Sequence, residues 1–101
     1  MPTDRPDILP EIAAERARQD AKWGEQNHPD GTGNAGDAHV ARLAKSWCDN
    51  AAKRGALTYR HILDEEVQEA FAESDPAKLR AELGQVAAVA VAGIECIDRR
   101  F

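Results

Sequence analysis

The sequence lacks several features that mark common classes of binding protein. It has no excess of basic residues, because 13 lysines and arginines stand against 18 aspartates and glutamates, for a formal net charge of −5. This balance excludes the basic surface that nucleic-acid-binding proteins carry. The apolar stretch 86–94 is far too short to cross a bilayer, which takes about 20 apolar residues, and no charged-then-apolar signal segment follows Met1. We therefore expect a cytoplasmic protein without nucleic-acid or membrane partners.

Cysteine is also scarce. Cys48 and Cys96 lack the CxxC spacing of a metal or redox site. Both are expected to act as small apolar residues on helix faces, which suits a reducing compartment. There are no internal repeats or low-complexity tracts, and 43% of the residues are hydrophobic. The chain is therefore interpreted as one domain over residues 1–101.

A glycine-rich segment, residues 24–37, is predicted to be a flexible loop. Its Gly31–Gly36 part matches GxGxxG, but that motif binds dinucleotides only between a strand and a helix, and no strand precedes it. A loop of this length suggests either a mobile segment near a site or plain disorder. In the first case, one alternative is a lid that carries His28 and Asp30. A transition-metal site of His28, Asp30 and His39 is the less favoured alternative, because a flexible loop gives these ligands no fixed geometry.

Hydrophobic spacing predicts four helices and no strand. Apolar residues recur at helical intervals over four segments, at about residues 7–22, 38–53, 59–73 and 76–99. Asp37 and Thr58 are expected to cap the second and third helices. Asp75 followed by Pro76 is a strong start signal for the fourth helix. The fold class is therefore predicted to be all-α, as a four-helix domain.

Acidic motifs lie on the last two predicted helices. The third helix carries Glu65-Glu66-Val67-Gln68-Glu69, and the run Glu82-Leu83-Gly84-Gln85 lies on the fourth. At about 100° per residue, Glu66 and Glu69 share an arc beside the core stripe, while Glu65 points further away. The short connection between the helices predicts antiparallel packing, which would bring together the four ligand candidates Glu66, Glu69, Glu82 and Gln85.

The surroundings of Glu82 favour a metal site over a solvated acidic face. From residue 83 to residue 94 the fourth helix carries one polar side chain, Gln85, and a helix that is apolar all round is expected to be buried. A buried carboxylate is costly unless it is paired or binds a metal. Ligand sets made of oxygen atoms alone suit Mg²⁺, with Mn²⁺ as a substitute, better than they suit zinc.

The acidic motifs resemble those of the MazG-like nucleoside triphosphate pyrophosphohydrolases, which belong to the all-α NTP pyrophosphatase superfamily. Glu65-Glu66-x-x-Glu69 matches the EExxE half of that family's signature, and Glu82-Leu83-Gly84 matches the start of its E-L-G-D half. Gln85 stands where the family has Asp. The resemblance covers residues 58–98, and residues 11–24, with Glu15-Arg16-x-Arg18-Gln19, resemble the E-R-x-R-Q segment of related phage and bacterial members.

The resemblance implies a MazG-like bundle that assembles as a dimer or tetramer. It also implies Mg²⁺-dependent conversion of a ribo- or deoxyribonucleoside triphosphate to the monophosphate and pyrophosphate. By this resemblance Glu66, Glu69 and Glu82 are metal ligands, and Glu65 is an outer-sphere ligand or general base, so that Glu65 and Glu66 are the catalytic candidates. Gln85 can still coordinate through its amide oxygen, but it removes one negative charge. We therefore expect weaker metal binding at that corner, or one metal ion where members of the family hold two.

Substrate-binding residues are expected on the first helix, where an apolar face turns polar. Leu9, Ile12 and Ala13 define this face, and it continues as Arg16, Gln19 or Asp20, and Trp23. Together with Lys22, which does not belong to this face, Arg16, Gln19 and Trp23 are the candidates for substrate binding. Arg16 would contact phosphate, and Trp23 would stack on a base. Lys22 and Arg18 are within reach of phosphate as well, and the alternative for both is that they face solvent. The alternative is that Arg16 pairs with Asp20 at the surface and that Trp23 packs as ordinary core.

The apolar fourth helix predicts at least a homodimer, because three neighbouring helices of one chain cannot cover it on every side. Two function classes follow from these observations. The first is a Mg²⁺-dependent nucleotide pyrophosphohydrolase. The second is a catalytically weak MazG-like relative that binds a nucleotide or a partner protein through the same pocket.

Overall fold

The computed structural model describes residues 7–101 as four helices joined by loops. These are α1 (Leu9–Trp23), α2 (Asp37–Lys53), α3 (Tyr59–Ala72) and α4 (Pro76–Asp98), and residues 7–101 contain no strand. The prediction of an all-α chain with four helices is confirmed. The missing strand also excludes the dinucleotide-binding interpretation of the Gly31–Gly36 segment. No helix in the described range combines the length and the hydrophobicity that a membrane crossing needs.

Side-chain caps fix where α3 and α4 begin. The Thr58 hydroxyl accepts the backbone N–H of His61, and His61 Nδ1 accepts the backbone N–H of Thr58 at 3.1 Å, which forms a capping box. The Asp75 carboxylate accepts the backbone N–H of Lys78 at 3.2 Å, and Pro76 occupies the first turn of α4. Both predicted caps are confirmed.

The predicted cap of α2 is wrong. Asp37 is the first residue inside the helix, and the N-cap is Gly36, with a φ of 89°. The Asp37 carboxylate turns back to accept the backbone N–H of Asn34 at 2.9 Å. Its charge still lies in the first turn, where it is favourable for the helix dipole.

Helices α2, α3 and α4 lie side by side. Helix α3 packs against both α2 and α4, whereas no Cα atom of α4 comes within 8 Å of one in α2, and none of α1 comes within 8 Å of one in α2–α4. The molecule is accordingly flat, measuring 43 × 43 × 20 Å. The arrangement among the described residues is one layer of three helices with α1 standing apart.

This arrangement leaves the core small. Only six apolar residues of the described chain are buried, and they are Ile8, Ala44, Cys48, Ala51, Ala70 and Leu79. The prediction that α4 is buried on every side is wrong for the single chain. Leu79 is its one buried residue, and Leu83 is 53% exposed. The physical reason is that, within residues 7–101, α3 is the only helix whose Cα atoms come within 8 Å of those of α4.

The glycine-rich loop is tied to the end of α3. The Thr32 hydroxyl donates to the Glu73 carbonyl at 2.6 Å, and the Gly33 N–H donates to the Phe71 carbonyl at 2.8 Å. Carbonyls at a helix C-terminus have no partner within the helix, so the loop supplies the missing donors. Gly33 has a φ of 73°, and a Cβ added there would lie 2.7 Å from that of Ser74. This segment of the loop is therefore held closely against the α3–α4 connection.

Candidate metal centre

Three of the predicted metal ligands come together between α3 and α4. Glu66, Glu69 and Glu82 each offer a carboxylate oxygen, and these oxygens lie within 4.8 Å of one another. Glu66 and Glu69 are three residues apart on the side of α3 that faces α4. Glu82 lies three residues after the buried Leu79, on the matching side of α4. All three glutamates are half-buried. We call this set the glutamate cluster.

The environment of the cluster disfavours negative charge. Burial raises the pKa of Glu66, and the neighbouring Glu82 and Glu65 carboxylates raise it further. Burial likewise raises the pKa of Glu69, with added repulsion from Glu66, Glu65 and Glu82. A divalent cation would remove both penalties, because it compensates the lost hydration and attracts every carboxylate at once. The donor set consists of oxygen atoms alone, so it fits Mg²⁺ or Mn²⁺.

Glu65 lies on the side of the cluster nearest α2. Its charge is the main influence, after burial, that raises the pKa of the Cys48 thiol, and it also acts on Glu66 and Glu69. It therefore lies beside the cluster without belonging to the set of three. This position is compatible with its predicted role as an outer-sphere ligand or base, which stays a prediction.

A cation that the sequence reasoning missed lies next to the same carboxylates. Lys45 Nζ is 3.4 Å from Asp49 Oδ2, one turn along α2. Its ammonium group lowers the pKa of Glu69, while Asp49 above all, and then Glu65 and Glu69, raise the pKa of Lys45. The sequence did contain a signal for this position. Lys45 directly follows Ala44 of the apolar stripe of α2, and a step of about 100° from that stripe turns its side chain toward one side of α3.

Gln85 follows Glu82 by one helical turn and is exposed on α4. Its side chain makes no hydrogen bond to another residue of the described range. A neutral amide attracts a cation less strongly than the aspartate of the family pattern would. Its role as a ligand stays a prediction.

The structure does not bring the predicted substrate-binding residues to the glutamate cluster. Arg16 donates to Gln19 Oε1 at 2.7 Å and to Asp20 Oδ1 at 2.9 Å, as in the surface-pair alternative. Lys22 Nζ lies 4.8 Å from the centroid of the Trp23 ring, and Trp23 is 63% exposed. All of them belong to α1, which contacts no other helix. Their assignment to the substrate stays a prediction.

An open concavity of about 410 Å³ lies at the end of α1, and its lining residues are Trp23, Glu25, Gln26, Asn27 and His28. None of these lining residues belongs to the glutamate cluster. The less favoured transition-metal site finds no support, because among the described residues the glutamate cluster is the one group of potential ligands close enough to share an ion. His28, Asp30 and His39 are thus not brought together.

Comparison with protein-family models, with curated proteins and with solved structures gives no match.

Proposed function

We propose that the protein is a Mg²⁺-dependent nucleotide pyrophosphohydrolase that converts a nucleoside triphosphate to the monophosphate and pyrophosphate. The observation that carries this proposal is the glutamate cluster. In it, the consecutive helices α3 and α4 present three carboxylates whose oxygens lie within 4.8 Å of one another. An assembly of like charges costs free energy unless it serves a cation. The motif resemblance then supplies the class of reaction.

Glu66, Glu69 and Glu82 would hold the ion, with Gln85 as a neutral donor at the edge. Bound there, Mg²⁺ would supply Lewis-acid polarisation of a phosphate oxygen and a bound water of lowered pKa. The carboxylates exclude a bare polyphosphate by repulsion, so they select the magnesium complex of the nucleotide. Glu65, beside the cluster, would accept a proton from a water near Glu66.

A second candidate function is favoured by two observations. Gln85 removes one negative charge from the family pattern, and the α1 residues predicted to bind substrate stand apart from the cluster. Both fit a catalytically weak relative that binds a nucleotide or a protein without efficient turnover. The two functions predict different results for Gln85→Asp.

The test is pyrophosphate release from a panel of ribo- and deoxyribonucleoside triphosphates with Mg²⁺ or Mn²⁺. We expect turnover of at least one nucleotide group, and we expect Glu66→Ala to abolish it. The matched control is Glu95→Ala, which removes a half-buried glutamate of α4 that lies outside the glutamate cluster. Activity that survives Glu66→Ala would contradict the proposed site.

Substitution at position 85 separates the two candidates. If the native chain is an efficient enzyme, Gln85→Asp changes turnover little. If turnover is absent but nucleotide still binds, and Gln85→Asp creates activity, the second candidate is correct.

A further inference from the structure

Helices α2 and α3 pack against each other, and residues 54–58 join them. A connection this short makes the two helices antiparallel. Burial, and after it the neighbouring Glu65 carboxylate, raises the pKa of the Cys48 thiol, so these two side chains are close together. Lys45 precedes Cys48 by about one helical turn, and Glu69 follows Glu65 by about one turn. Because the helices run in opposite directions, Lys45 and Glu69 stand at the same level of the pair.

Lys45 and Glu69 also lie on the same side of this helix pair. A groove of about 260 Å³ opens on the opposite side, and its lining residues are Val40, Leu43, Ala44, Trp47, Asp64 and Gln68. Lys45 follows the buried Ala44 by one position, and a step of about 100° turns it away from the groove residue Leu43. On α3, Glu65 and Glu69 each follow a groove residue by one position, which turns them away from the groove as well. Lys45 therefore lies on the side of the pair that carries Glu69 of the glutamate cluster.

The Lys45 side chain is held only weakly where it stands. It is 62% exposed, and its ion pair with Asp49, at 3.4 Å, lies at the protein surface. Ion pairs in such positions contribute little to stability, because water screens the two charges. The influence of the Lys45 and Glu69 charges on each other shows that the ammonium group already acts on the glutamate cluster. Lys45 can therefore turn from Asp49 to a ligand of the cluster at little cost.

The glutamate cluster by itself is a poor site for an anionic ligand. Its three carboxylates carry more negative charge than one Mg²⁺ neutralises. The magnesium complex of a triphosphate is itself an anion, so it is repelled by the charge that remains. Gln85 adds no charge of either sign. A positive side chain beside the cluster offsets this repulsion, and lysine suits the task because it places a compact charge on a flexible stem.

We propose that Lys45 is a substrate-binding residue whose ammonium group contacts the terminal phosphates of the nucleotide, the part that leaves as pyrophosphate. In the free protein the ammonium group pairs with Asp49. In the complex a phosphate oxygen replaces the Asp49 carboxylate as its partner, while the metal ion on the glutamate cluster holds the rest of the phosphate chain. This inference rests on the proposed function, because it adds a residue to the same site.

The first test is calorimetric binding of inorganic pyrophosphate in the presence of Mg²⁺, which needs no turnover. We expect Lys45→Met to weaken binding by about tenfold or more, the loss of one charge-assisted contact, and Lys45→Arg to retain most of the affinity. Lys53→Met is the matched control, because it removes the same charge from the far end of α2, and it should bind pyrophosphate as the native chain does.

Two results of this test would overturn the proposal. One is equal pyrophosphate affinity of Lys45→Met and Lys53→Met, and the other is a native chain that binds no pyrophosphate. A native chain that binds pyrophosphate through Lys45 but hydrolyses no nucleotide would support the Lys45 contact and refute the proposed function.

The second test separates a phosphate contact from a structural ion pair. Lys45→Met and Asp49→Asn both remove the pair, but only the first removes the phosphate contact. We therefore expect Asp49→Asn to bind pyrophosphate at least as tightly as the native chain, because its Lys45 is released and a negative charge is lost. Equal weakening by the two substitutions would show that the pair serves only the structure of α2, and it would overturn the proposal.

Discussion

Removing one charge from the glutamate cluster is expected to stabilise the metal-free protein. Carboxylate oxygens of the cluster lie within 4.8 Å of one another. Two unit charges at that upper limit repel by about 0.9 kcal/mol in a water-like dielectric, which is appropriate because the three side chains are half-exposed. Glu69→Gln removes its repulsion with Glu66 and with Glu82. We therefore expect the free energy of unfolding at pH 7 and low salt to rise by about 1–2 kcal/mol, which corresponds to several degrees in Tm.

The gain is expected to depend on pH in a defined direction. The pKa values of Glu66 and Glu69 lie above the ordinary 4.5 in the folded protein. Between 4.5 and the raised values the folded state binds more protons than the unfolded state, so native stability falls as pH rises through that window. Below pH 4.5 the carboxylates are protonated in both states. The stability difference between Glu69→Gln and the native chain should therefore vanish there and reach its full size at neutral pH.

Thermal unfolding in EDTA and in millimolar MgCl₂, from pH 4 to pH 8, measures both effects. The native chain should gain stability from Mg²⁺ according to RT ln(1 + [Mg²⁺]/Kd), and Glu69→Gln should gain less. Glu95→Gln is the control, with an expected change within about 0.5 kcal/mol. A Glu69→Gln chain that is less stable than the native one in EDTA at pH 7 would refute the repulsion argument, and equal Mg²⁺ stabilisation of both would refute the metal site.

Three further predictions test other parts of the structure. Gly33→Ala should lower the free energy of unfolding, measured in urea, by more than Gly31→Ala does. Both positions have positive φ, but an added Cβ meets a close neighbour only at residue 33. Equal losses of stability in the two variants would contradict the close contact. Thr58→Ala should cost about 1 kcal/mol by removing the α3 cap, and an unchanged urea midpoint would show that the cap contributes nothing. Lys45→Met should tighten Mn²⁺ binding in calorimetry without nucleotide, because it removes a positive charge next to the carboxylates. Lys53→Met is the control and should leave the Mn²⁺ affinity unchanged. Equal affinities of the two variants would show that the Lys45 charge does not act on the metal site.

Local signals in the sequence predict the helices well. Thr58 and Asp75 mark helix starts through interactions that span three residues, so no tertiary information is needed to place them. The convergence of Glu66, Glu69 and Glu82 was also predictable, because helical spacing and one short connection determine it. The choice between Gly36 and Asp37 as the cap of α2 was not predictable, since both residue types occur at that position.

Tertiary placement was harder to predict. The apolar stripe of α1 indicates that this helix needs a partner, but a stripe does not identify the partner, and α1 contacts none of the other helices. Lys45 was missed because its nearness to Glu69 depends on how α2 packs against α3. The prediction that α4 is buried was wrong for a related reason. Composition shows how much apolar surface a helix carries, but it does not show which other elements pack against that surface.

The separation of α1 from the layer has a consequence for cooperativity. A 15-residue helix is only marginally stable in water without tertiary contacts, whereas α2–α4 share packing through α3. Heating should therefore reveal two unfolding units, with amides of α1 exchanging hydrogen at low protection while those of α3 follow the global transition. Unfolding of this chain is therefore not expected to be two-state. Its calorimetric enthalpy of unfolding should differ from the van't Hoff enthalpy as long as α1 has no packing partner.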